Sequence, residues 1–177
     1  DDTQSIINAY KSGELNFISV DYTVMDEYKD SDELITSPAM TSYYVLFNVN
    51  EAPFDDVRVR QAFSMAVNRD EVASACGSSY EASDFFVAKH LKSSASGKDR
   101  AEEAEEDPIG FDPDKAKELL ADAGYADGFD LEITVLSSYS QHVDSAQIIA
   151  DELSQVGINV TLNQVEWSTW LQDVYKG

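Results

Sequence analysis

An α/β fold is predicted by three features of the last third of the chain. Phe129 to Leu136 reads as a strand. Ile158, Val160 and Leu162 alternate with Asn159, Thr161 and Asn163, the period of a half-buried strand. Between these runs, Val143, Ala146, Ile149, Ala150 and Leu153 recur at helical spacing over 141–156, and Gly157 closes the helix. Strand, helix and strand within about 35 residues is the size of a βαβ crossover. The two strands are therefore expected to pair in parallel within a mixed sheet.

Taken from the N-terminus, the first part reads helix, strand, helix, strand. Ile6, Ile7 and Tyr10 form an apolar face that stops at Gly13, and Leu15, Phe17 and Val20 follow in an extended run. Tyr43 to Val49 is aromatic and β-branched, which predicts a buried strand ending at the Asn50-Glu51-Ala52-Pro53 turn. Asp55 or Asp56 then caps a helix whose inner face is Val59, Ala62, Phe63, Ala66 and Val67. A short helix begins near Arg69-Asp70-Glu71, and 77–111 has little periodicity. Asp112-Pro113 is a cap followed by proline at the first helical position, and Ala116, Leu119, Leu120 and Ala123 form the stripe that ends at Gly124. A last helix is expected over 168–176.

Composition narrows the function. The 177 residues carry 12 basic and 34 acidic side chains, a net charge of −22. Such a chain repels polyphosphates and anionic membrane surfaces, so nucleic acid is not an expected partner. The single cysteine, Cys76, excludes an intrachain disulfide. No apolar run is long enough to span a membrane. The chain opens Asp1-Asp2-Thr3, without leader features, and is expected to be a mature or excised piece. The stretch 93–107 has no large apolar residue and reads as an exposed acidic loop. Its Glu102 to Asp107 cluster lacks the alternating ligands and central glycine of a calcium loop, so it reads as a solvated face and no metal site is expected.

Catalytic signatures are missing: there is no GxGxxG, P-loop, HExxH, CxxC or GxSxG. His142 has Ser137, Ser138, Ser140 and Asp144 nearby, but sequence neighbours rarely build a triad. Open α/β sheets bind ligands just outside the C-terminal ends of their strands. Ser137, Ser138, Tyr139 and His142 lie at such an end, as ligand contacts or as helix caps. Of Trp167 and Trp170, one is expected in the core and the other lining a cleft. Arg58, Arg60 and Arg69 read as surface pairs to the abundant acids rather than an anion site. No cofactor is implied.

The segments Tyr43-Tyr44-Val45-Leu46-Phe47-Asn48 and Ala52-Pro53-Phe54-Asp55-Asp56-Val57-Arg58-Val59-Arg60-Gln61-Ala62 resemble the hallmark of the family 5 extracellular solute-binding proteins. These are the oligopeptide-, dipeptide- and nickel-binding components of ABC importers. Phe111 to Leu120 with Ala123-Gly124-Tyr125, then Val156 to Val160, then Glu166-Trp167 agree in the family's order, and Lys11 to Phe17 is similar to its opening stretch. The resemblance implies part of a two-lobe, periplasmic-binding-protein-like fold that closes on its ligand. Residues 1–46 would end the first lobe, and 47–177 would be the first half of the second. It implies a non-catalytic, extracellular, lipid-anchored or periplasmic monomer that captures a small ligand, a peptide, for an ABC permease. Further ligand-holding residues would lie beyond Gly177. The alternative is a cell-surface sensor or adhesion module that binds a partner protein.

Overall fold

The computed structural model describes residues 3–20, 22–37, 39–105 and 108–176. Helix α1 (Thr3–Lys11) buries Ile7 and ends before Gly13, which takes a φ of 81°. A single turn, α2 (Tyr22–Met25), follows. The strands expected around 15–20 and 43–49 do not form ladders. Neither segment pairs with a strand among the described residues, and Tyr43, Tyr44 and Leu46 are more than half exposed. The physical reason is that β-propensity expresses packing against neighbouring strands. No described strand lies beside either segment. Only Phe47 of the aromatic run reaches the core, its ring 5.0 Å from Phe63 and 4.9 Å from Phe54.

From Pro53 onward the chain follows its pattern closely. Helix α3 (Val57–Ala66) is capped by Asp56, whose side chain accepts from the Arg58 N–H. Its inner residues Val59, Ala62, Phe63 and Ala66 are all buried, and Val67 caps its far end. Asn68 caps α4 (Arg69–Ala75). The acidic loop holds one turn, α5 (Arg100–Glu103), closed by a reciprocal Asp99–Glu102 capping box. Helix α6 (Pro113–Asp122) has the expected Asp112 cap and N-terminal proline. Asp112 also ties it to α3 by donating its N–H to the Met65 carbonyl at 2.8 Å.

Strand β1 (Phe129–Leu136), helix α7 (Ser140–Ser154) and strand β2 (Ile158–Val165) form the crossover unit. The strands pair in parallel, from Phe129 opposite Ile158 to Leu136 opposite Val165. Among the described residues the sheet holds these two strands alone, so the expected parallel pairing is found and the mixed character is not. Helix α8 (Trp167–Lys176) packs on β1, beginning one residue earlier than expected.

One core joins α3, α6, α7 and β2. Val59, Leu120, Leu153 and Ile158 are its largest fully enclosed side chains, each stabilising the fold by roughly 1.5–3 kcal/mol. Leu119 and Ile149, expected beside them, are half-buried at the margin. The other face of the strand pair is polar, with Asn159 donating to Asp130 and Asn163 to Glu132. The three arginines near α3 act as structural ties. Arg58 pairs with Asp56 and donates to the Asp122 carbonyl, and Arg69 pairs with Asp84. Arg60 departs from the acid-pairing expectation, binding the Phe54 and Asp55 carbonyls instead. No helix among the described residues is long and apolar enough to cross a membrane.

Candidate functional site at the strand ends

Parallel pairing puts both strand C-termini on one edge, and the chain leaves each strand there. The Ser137 N–H extends the ladder by donating to the Val165 carbonyl at 3.0 Å. Its hydroxyl lies 3.2 Å from the same carbonyl and 3.1 Å from Oε1 of Glu166. Ser137 therefore ties the two strand exits together. Ser138 is exposed in the following turn. Tyr139 is the N-cap residue of α7, but its side chain makes no capping hydrogen bond. The cap alternative thus fails for this loop. The serines and Tyr139 leave the first turn of α7 without a side-chain cap.

His142 lies in the first turn of α7, with its ring among aromatics. Tyr139 is 5.1 Å away between ring centroids, and Tyr43 meets it edge-on at 5.4 Å. Tyr80 continues the cluster, 5.8 Å from Tyr43. Burial pushes the imidazole down from its ordinary value, which favours the neutral ring. Ser145 donates to the His142 backbone carbonyl, and no serine hydroxyl is bonded to the ring among the described residues. Beneath the cluster, the Cys76 thiol reaches the Gln141 carbonyl at 3.8 Å, anchoring the start of α7 to the end of α4. Burial, with a smaller contribution from Asp144, pushes that thiol up, which makes it a poor nucleophile.

On the β2 side, Glu166 opens α8, and its carbonyl accepts from the N–H groups of Thr169 and Trp170. Trp167 and Trp170 stack on each other, centroids 5.6 Å apart and planes 20° apart. Neither is a core residue: Trp167 is 51% exposed and Trp170 is half-buried. The core expectation for one tryptophan is corrected by this stack. A one-turn spacing lets the rings cover each other instead of entering the sheet. Glu166, Tyr43 and Tyr80 were not marked as site residues by sequence reasoning. Glu166 had a signal, since parallel strands bring the residues just past their ends together. The two tyrosines are remote in sequence and had none.

Comparison with known proteins gives this edge a context. The model of the bacterial extracellular solute-binding proteins, family 5 (middle part), matches residues 1–177. The glutathione-binding protein GsiB of Pectobacterium atrosepticum is 29% identical over 149 residues, 79% of this chain and 26% of its own length. A Brucella ovis protein named as an ABC transporter peptide-binding protein is 30% identical over 182 residues, 99% of this chain and 33% of its own. Among solved structures, the oligopeptide-binding protein AppA of Bacillus subtilis, in complex with a nonapeptide, superposes with a TM-score of 0.73 at 23% identity. It covers 97% of this chain and 36% of that one. The chain thus spans about a quarter to a third of the relatives it matches.

Proposed function

The chain belongs to the family 5 bacterial extracellular solute-binding proteins, and from that membership we propose that it is part of the substrate-binding component of an ABC importer. The ligand is a small molecule, a peptide, enclosed between two lobes without being chemically changed. Residues 1–46 end the first lobe and 47–177 begin the second. The whole protein works as a monomer outside the cytoplasmic membrane, lipid-anchored or periplasmic, and delivers to a permease. The observation that carries this reading is the family match over residues 1–177. The relatives add support, one being a glutathione-binding protein and another named as an ABC transporter peptide-binding protein.

Ser137, Ser138, Tyr139, His142, Trp167 and Trp170 form the part of the ligand surface that this chain contributes. Supporting this are their common position at the strand ends and their mixture of hydrogen-bonding groups with exposed aromatic area. That mixture suits orienting a ligand without reacting with it. The test is mass spectrometry of small molecules released when the full-length protein is denatured, followed by calorimetry with the released compound. A bound peptide that rebinds supports the reading. Protein that carries no small molecule but retains a partner protein through purification would favour the sensor or adhesion alternative.

A further inference from the structure

We propose that Glu152 is a proton-operated latch for α4: with a neutral carboxyl it holds the N-terminal end of that helix against α7, and on ionising it lets that end open. Glu152 sits in the last turn of α7 and is only 7% exposed. Its Oε2 accepts the backbone N–H of Asn68 at 3.0 Å, and its Oε1 is buried with no hydrogen-bond partner among the described residues. Asn68 is the N-cap of α4, its side chain accepting from the N–H groups of Asp70 and Glu71. One buried carboxyl therefore grips the residue on which α4 begins. A neutral carboxyl keeps the Asn68 bond through its carbonyl oxygen. A carboxylate would put part of its charge on a buried oxygen that has no donor, which costs more than a neutral orphan.

The charged groups on the surrounding elements do not relieve that cost. Burial pushes the carboxyl up, the Asn68 bond opposes the push, and Glu71 of α4 adds to it by repulsion. Arg69, the cation of α4, is bonded to Ser64 and paired with Asp84, and Asp70 is exposed. On α3, Arg58 is paired with Asp56, and Arg60 is held by the Phe54 and Asp55 carbonyls. On α7, Asp151 accepts from Gln147, while Asp144 and His142 stand at the other end of the helix, acting on Cys76 and meeting Tyr43. Asp130 and Glu132 of β1 accept from Asn159 and Asn163 on the polar face, and β2 has no ionisable residue. The far end of α4 is tied to α7 by the Cys76 thiol at the Gln141 carbonyl, and burial pushes that thiol up. Of these two ties, the carboxyl alone changes charge between mildly acidic and neutral pH.

Hydrogen exchange read by mass spectrometry on the full-length protein tests the latch, with α6 as internal control and rates corrected for the intrinsic pH dependence of amide exchange. The Val72 N–H, bonded to the Asn68 carbonyl at 3.1 Å, reports the latched end. A group raised in the latched state stabilises it fully below the ordinary value and loses that contribution as pH rises. Each unit of raising is worth tenfold in the opening equilibrium, so wild-type protection of α4 relative to α6 should fall about tenfold or more from about pH 4.5 to pH 8. Glu152→Gln keeps an oxygen for Asn68 without a charge, and its relative protection should change less than about threefold over that range. Should that variant fail to fold, Glu71→Gln, at an exposed position, takes its place, and its fall should be smaller than that of the wild type. Wild-type protection that stays constant or rises with pH overturns the inference. So does a fall that persists undiminished in Glu152→Gln or, where that variant does not fold, in Glu71→Gln.

Discussion

Gly128 and Gly157 stand back to back immediately before the two parallel strands, and the Phe129 N–H donates to the Gly157 carbonyl at 3.2 Å. A Cβ added to Gly128 would lie 1.9 Å from the Gly157 oxygen and 2.7 Å from its carbonyl carbon. Both are backbone atoms and cannot rotate aside. Gly128 also has a φ of 76°, in the left-handed region. Gly124 provides the control: its φ is 95°, but a Cβ there meets nothing within 4 Å. Gly124→Ala therefore bears only the left-handed penalty, about 1–2 kcal/mol. Gly128→Ala bears the same penalty and must also push the start of β2 away. Overpacking adds about 1–3 kcal/mol, and the strained Phe129–Gly157 bond about 1 kcal/mol more. The expected losses are about 1–2 kcal/mol for Gly124→Ala and about 3–6 kcal/mol for Gly128→Ala. Urea unfolding followed by circular dichroism measures both, with the slope in urea checking that the transition stays two-state. Losses equal to within about 0.5 kcal/mol would refute the close-approach argument.

Leu153 is fully enclosed among α3, α6 and β2, so Leu153→Ala should cost about 2–5 kcal/mol in the same melts; a loss below about 0.5 kcal/mol would place that face in solvent. Glu152 is buried and accepts the Asn68 N–H at 3.0 Å, while its other oxygen has no partner. Burial pushes its carboxyl above the ordinary 4.5, against the lowering effect of the Asn68 bond and with a smaller push from Glu71. A raised folded-state value means that its stability is complete below about pH 4.5 and lost as pH rises through the folded value. Urea melts from pH 4 to 8 should therefore show wild type losing stability relative to Glu152→Gln as pH rises, and the opposite trend would contradict burial as the cause. The charge of −22 predicts self-repulsion that salt relieves. Raising salt from about 0.1 M to 1 M shortens the screening length from about 10 Å to 3 Å. The thermal midpoint should rise accordingly, and a fall would show that the acids are net stabilising.

The elements legible in the sequence are those whose signals are local. The Asp56 and Asp112 caps, Pro113, and the stripes Val59–Ala62–Phe63–Ala66 and Ala146–Ala150–Leu153 each act within a few residues, and the structure follows them. The parallel pairing of 129–136 with 158–165 was legible too, because a crossover of that length leaves little topological choice. The same holds for the Ser137–His142 loop, which any strand-to-helix exit would carry to the sheet edge.

What depended on distant chain was not legible. Tyr43 to Val49 reads as a buried strand, yet whether it pairs depends on a neighbour that its own residues do not encode, and here it is unpaired. Trp167 and Trp170 have the composition of core residues, but whether they bury or stack depends on the space beside β1. Tyr43, Tyr80 and His142 come together from three remote parts of the chain, and the contact of Gly128 with Gly157 exists only once the strands are in register. By itself the sequence determined the caps, the amphipathic faces, the βαβ order and an acidic character that turns polyanions away. Tertiary structure alone decided which aromatics meet and where the backbone leaves no room for a Cβ. The reason is that propensity and periodicity are set by neighbours along the chain, whereas register, burial and ring contacts are set by whatever folding brings alongside.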